Sequence, residues 1–168
     1  MKVIGLVLAA GAVLFALPAL AAGACYTPKQ MQAEQLLRLH SELMVITVTC
    51  RQASDGASLV PSYTDFTKKN IRMLHNAEQV MIGYYKAHDR GSPVARLDRL
   101  RTLLGNEYGQ KSADMSAPAF CAAYRNMVPD FDSAPVSAIR DEVRRMEAAD
   151  RSYEPLCGGD AAKVAKRD

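Results

Sequence analysis

A cysteine stands at each end of the stretch 25–50, and the residues between them read as a single uninterrupted α-helix. Leu36, Leu39, Leu43, Ile46 and Cys50 recur in steps of three and four, the spacing that stacks side chains along one helical face. Thr27 followed by Pro28 suits the start: a threonine oxygen can accept an otherwise unpaired amide, and proline lacks the amide that would go unpaired. At 1.5 Å per residue such a helix holds Cys25 and Cys50 more than roughly 30 Å apart, so they cannot bond each other. Four cysteines (Cys25, Cys50, Cys121, Cys157) then leave two pairings. Helices that alternate up and down bring Cys50 to Cys121 and Cys25 to Cys157. The opposite crossing, 25 with 121 and 50 with 157, needs only a shorter third helix. Either way both bridges close long loops, for which chain entropy gives about 4 kcal/mol each. That is large beside a total stability of about 5 to 15 kcal/mol.

Upstream, Lys2 precedes an apolar run from Val3 to Leu20, and Ala19, Leu20, Ala21, Ala22, Gly23 and Ala24 supply the small residues of a signal-peptidase site. Residues 1–24 are therefore expected to be a signal peptide, cleaved before Ala22 or Cys25. Residues 25–157 would form a single helical domain and 158–168 a disordered C-terminal tail. Retention of the run as an anchor is the alternative, and the small-residue site argues for removal, leaving no membrane span. Ala22 to Cys25 also loosely fits a lipobox, which would make the chain an outer-envelope lipoprotein acylated at Cys25. Against this, Ala22 stands where leucine is favoured, Tyr26 stands where a small or polar residue usually follows, and acylation would leave three cysteines, an odd number that cannot pair completely.

An export signal and an even cysteine count point to an oxidising compartment, so the expected location is periplasmic or secreted. No C-x-x-C occurs and the wide spacing fits no zinc pattern. With 21 Lys and Arg against 18 Asp and Glu, both signs mixed, nothing favours nucleic acid as a partner. The roughly 140 residues behind the leader are enough for one core and too few for two comfortable ones.

Helical periodicity continues throughout, and the expected fold is all-α: a disulfide-stapled bundle of four to five helices, mostly antiparallel. After turn formers at 54–58, Ser62 and Asp65 are placed to cap a second long helix carrying Phe66, Met73, Ala77, Val80, Met81 and Tyr84 on one face. Ser92 and Pro93 open a third, with Val94, Leu97, Leu100, Leu104 and Tyr108 aligned; the pattern loosens from Gly109. A shorter fourth helix runs through Phe120, Cys121, Tyr124 and Met127 and should end at Pro129. A fifth starts near Ser133 and Pro135 and carries a thin line of Val136, Ile139, Val143 and Met146.

Candidate chemistry is sparse. His40 falls within the apolar stripe of its helix, His75 points away from the core, and His88 lies at the far end near Tyr26, a dispersed trio for any metal. There is no C-x-x-C-H, E-x-x-H or G-x-S-x-G, so no catalytic residue, metal or cofactor is assigned. Glu34, Glu42, Glu78 and Glu107 fall mostly on polar helix faces, where a solvated carboxylate is expected. Ile71, His75 and Ile82 form a minor face of the second helix that could meet another helix, a partner protein or a second copy. Arg140, Arg144, Arg145 and Arg151 could touch an anionic lipid or polymer, although interleaved acids fit a solvated face. The expectation is thus a protein that acts by binding a protein, an envelope component or itself. The alternative is a small apolar ligand, haem or metal held between the first two helices by His40, Met44, Met73, Met81 and Tyr84.

Overall fold

The structure is a computed structural model and describes residues 24–51, 59–149 and 151–158. The expected signal peptide, the turn formers at 54–58 and all of the expected tail beyond Gly158 lie outside the described residues. Seven helices follow one another: α1 (Pro28–Thr49), α2 (Val60–Lys69), α3 (Ile71–His88), α4 (Pro93–Met115), α5 (Ala117–Tyr124), α6 (Met127–Ser133) and α7 (Val136–Ala148). No strand occurs among the described residues, and the fold is an all-α bundle closed by two disulfides.

Helix α1 is the axis, packing against every one of the other six helices. Its start is fixed by a full capping box: the Thr27 side chain accepts from the Gln30 amide (3.3 Å), and the Gln30 side chain accepts from the Thr27 amide (2.7 Å). Leu36, Leu39, Leu43 and Ile46 form the expected apolar face, with the last three sealed completely. Burial also extends to the face that carries Glu34, Arg38 and Glu42. A helix buried on a polar face as well as an apolar one needs partners for both.

The five helical segments read from the sequence appear as seven helices because two are broken locally. The second helix begins earlier than Ser62, at Val60, with no side-chain cap, and breaks at Asn70. There the Phe66 carbonyl accepts the regular bond from the Asn70 backbone N–H (3.1 Å) and a second from the Asn70 side-chain amide (2.9 Å), and the Asn70 backbone leaves helical geometry at φ −106° and ψ 11°. Helix α4 starts at Pro93 behind the Ser92 cap, as the spacing implied, but continues through Gly109 to Met115. Tyr108 and Ser112 keep its buried line going beyond the glycine. It ends at Ser116, whose φ of 68° lies in the left-handed region and turns the chain into α5. Pro129 does not end a helix; it sits in the first turn of α6, where its missing amide leaves no acceptor waiting.

Cys25 bonds Cys157 and Cys50 bonds Cys121, with Cα separations of 5.1 and 5.5 Å. This is the pairing that up-and-down alternation implies. The bridges sit at opposite ends of α1, roughly 33 Å apart along its axis. Cys50 and Cys121 are buried, whereas Cys157 is exposed.

Candidate functional site

Two features of α1 hold chemistry. The first is a buried ionic column. Arg38, 1% exposed, donates to Glu34 (3.0 Å), to Glu107 and to the Arg151 carbonyl (2.6 Å). Glu34, 0% exposed, also accepts from the Tyr153 amide at 3.2 Å to each oxygen, and the Tyr153 ring lies over the Arg38 guanidinium (5.5 Å). The segment 151–157 supplies these backbone groups. It is held down by the Cys25–Cys157 bridge and by exchange with Tyr26, whose amide donates to the Pro155 carbonyl while its carbonyl accepts from the Cys157 amide (2.8 Å each).

Burial raises the Glu34 carboxyl above the usual carboxylate range despite its Arg38 and Tyr153 partners. Glu42, beside Tyr108, is raised by burial too. Burial works against the Arg38 charge, but Glu107 and Glu34 more than offset it and its pKa rises. The expectation that Glu34 and Glu42 would be solvated is therefore corrected: both are buried under neighbouring elements, whereas Glu107 is partly exposed and Glu78 pairs with Arg101. A carboxylate with no exposed surface cannot reach a substrate, so the column is a structural lock.

The second feature is a cleft of about 260 Å³. Helices α3 and α7 both pack on α1 and leave a gap whose floor is Ala33 and Leu36. Met73, Ala77 and Val80 of α3 form one wall, and Ile139 and Val143 of α7 the other. The facing alanines, Ala33 and Ala77, make the room. Lys29, Arg140 and Arg144 stand around it with Gln32 and Asn76, and among the described residues no acidic one lines it. Arg144 pairs with Asp141, whereas the Lys29 and Arg140 side chains make no ion pair or hydrogen bond among the described residues. Beyond Lys29 the crevice between α1 and α3 continues past Thr27, Gln30, Gln79 and Tyr84.

No protein-family model, curated protein or solved structure matches the chain. The site must therefore be judged from geometry. Of the five side chains expected to line a ligand pocket, only Met73 faces the cleft and only Tyr84 its polar extension. Met81 is fully buried in the core, and Met44 is on the surface beside Gly105. His40 is engaged elsewhere: its ring stacks on Tyr63 (centroids 5.4 Å apart), and Nε2 lies 3.0 Å from the Tyr63 hydroxyl and 3.2 Å from that of Thr67. Burial, helped by the positive charge of Arg101, holds its pKa down to about 4, so the ring is neutral at physiological pH.

His75 lies by Glu78 (3.7 Å), and His88 stacks on Tyr84 with Nδ1 2.8 Å from the Tyr84 carbonyl. No group of three or more His, Cys, Asp or Glu comes together as a metal site among the described residues. On the minor face of α3, Ile71 and His75 are exposed and Ile82 is half-buried against the core.

The sequence shows Met73 as a pocket candidate and Arg140 and Arg144 as a basic surface, but not that they meet. Lys29 lies far away in sequence, and α7 had no assigned place on α1. The alanines at 33 and 77 carry no signal of a cleft until the two helices are side by side.

Proposed function

We propose that this chain is an exported protein, periplasmic or secreted, that acts by binding a partner in the cleft between α1, α3 and α7. The two disulfides in a helical domain support export, because bridges of this kind persist in oxidising compartments. No helix among the described residues is long and apolar enough to cross a membrane. The Cys25 sulfur is engaged with Cys157, which leaves none for the thioether of a lipoprotein. The observation that carries the binding reading is the cleft itself: an apolar floor ringed by cations, with no acid among the described residues that line it.

The test is intact and native mass spectrometry of the protein recovered from its own host, before and after reduction. A mass beginning at Ala22 or Cys25, four thiols that appear only on reduction, and a bound species that Ala77→Trp removes would support the reading. A diacylglyceryl mass on Cys25 would replace it with the lipoprotein. A protein with no bound species, in which Ala77→Trp changes nothing, would sink the cleft.

A further inference from the structure

We infer that the occupant of the cleft is a single-chain fatty carboxylate, its acyl chain between α3 and α7 and its carboxylate at Lys29 and Arg140; this rests on the binding reading above. Three observations select that chemistry. The cleft, at about 260 Å³, falls just below the roughly 300–1,000 Å³ of drug-sized sites, which favours a small occupant. One unbranched chain suits such a slot, whereas a two-chain lipid does not. The inner surfaces of Leu36, Ala77 and Val143 are aliphatic and offer nothing to a polar ligand. The charged residues that line the cleft are all cations among the described residues; Arg144 is paired with Asp141, whereas the other two, Lys29 and Arg140, make no ion pair or hydrogen bond among those residues. An anion arriving there displaces no existing ion pair from Lys29 or Arg140, and a guanidinium can grip a carboxylate through two parallel hydrogen bonds. The first turn of α1 carries no acidic residue that would repel it.

The experiment uses the full chain labelled at its methionine methyl groups, titrated with laurate below its micellar concentration. Met73 faces the cleft while Met81 is sealed in the core, so the two report site and background. Laurate should shift Met73 and leave Met81 in place. Lauryl alcohol and lauryltrimethylammonium should bind more weakly by about 10- to 100-fold, the worth of one charged hydrogen bond. Arg140→Glu, on the surface and harmless to the core, should weaken laurate by a similar factor; Ala77→Trp should abolish the Met73 shift.

Equal affinity for laurate and lauryl alcohol at Met73 would overturn the carboxylate while leaving the binding cleft standing. So would lauryl phosphate binding far more tightly than laurate. Binding to anionic vesicles without any response to monomeric laurate would overturn it in favour of a membrane surface. No Met73 shift with laurate, together with a host-derived ligand that Ala77→Trp expels, would sink the fatty acid alone. No Met73 shift and no host-derived ligand would sink both.

Discussion

Leu39 and Glu34 lie on the same helix and are equally sealed from water, yet opposite physics holds their two faces in place. The apolar face of α1 is covered by side chains that gain from leaving water wherever they go. The charged face is covered by a strap that must deliver particular groups to particular atoms: the Arg151 carbonyl to Arg38, and the Tyr153 amide to Glu34. The first kind of burial is forgiving of shape, and the second fails when one partner is missing. The contrast explains why the last described segment is stapled. The Cys25–Cys157 bridge keeps the covering strap where a short coil without regular structure would otherwise fray.

The comparison breaks most sharply at Arg38. Arg38→Ala leaves Glu34 buried and unpaired and should cost about 3–5 kcal/mol in urea unfolding. The double variant Glu34→Gln with Arg38→Met, which retains an acceptor for the Tyr153 amide, should recover most of that loss. If it recovers nothing, the column is not an ion-pair lock. On the apolar face, Leu43→Ala should cost about 2–5 kcal/mol, and no second substitution on the polar face should rescue it.

The two faces also differ in how they answer pH. Glu34 and Glu42 have folded pKa values raised by burial, so their contribution is fully present below the ordinary carboxylate range and is lost as pH rises through the folded values. Glu42→Gln should flatten that loss in unfolding midpoints measured against pH. His40 acts in the other direction. With a folded pKa of about 4 against 6.5 unfolded, its contribution is present above 6.5 and is lost as pH falls towards 4. Relative to His40→Gln, the native chain should lose at most about 3 kcal/mol across that interval. A pH profile unchanged by His40→Gln would show that the ring is not held neutral. The smallest effect is expected outside both faces: Val48→Thr, at a side chain 69% exposed, should change stability by no more than about 0.5 kcal/mol.

The apolar face was legible before any coordinates, because its signal is local. Leucines at steps of three and four, and a cap at Thr27, are written within α1 itself. The disulfide pairing was legible as geometry, since a straight helix separates its own ends. The charged face was not, because Glu34, Arg38 and Glu42 look like any solvated helix surface until residues more than a hundred positions away lie across them. The break at Asn70 and the persistence of α4 through Gly109 were hidden for the same reason. A side-chain amide that reaches back to Phe66, or a glycine tolerated because Tyr108 and Ser112 are buried around it, leaves no mark on periodicity. Of the cleft, Met73 and the arginines were visible; the way its floor and its lysine come together is assembled by packing.

Each of the two bridges has one cysteine at an end of α1 and the other far downstream. The axis is thus bolted at top and bottom independently of the peptide that leads from it to α2. A cut in the backbone between Cys50 and α2 would leave two fragments that remain a single molecule until reduced. Tension applied upstream of Cys25 and downstream of Cys157 would pass directly through one sulfur–sulfur bond. The helices between them would bear none of the load, and the domain would behave under pulling as an inextensible link.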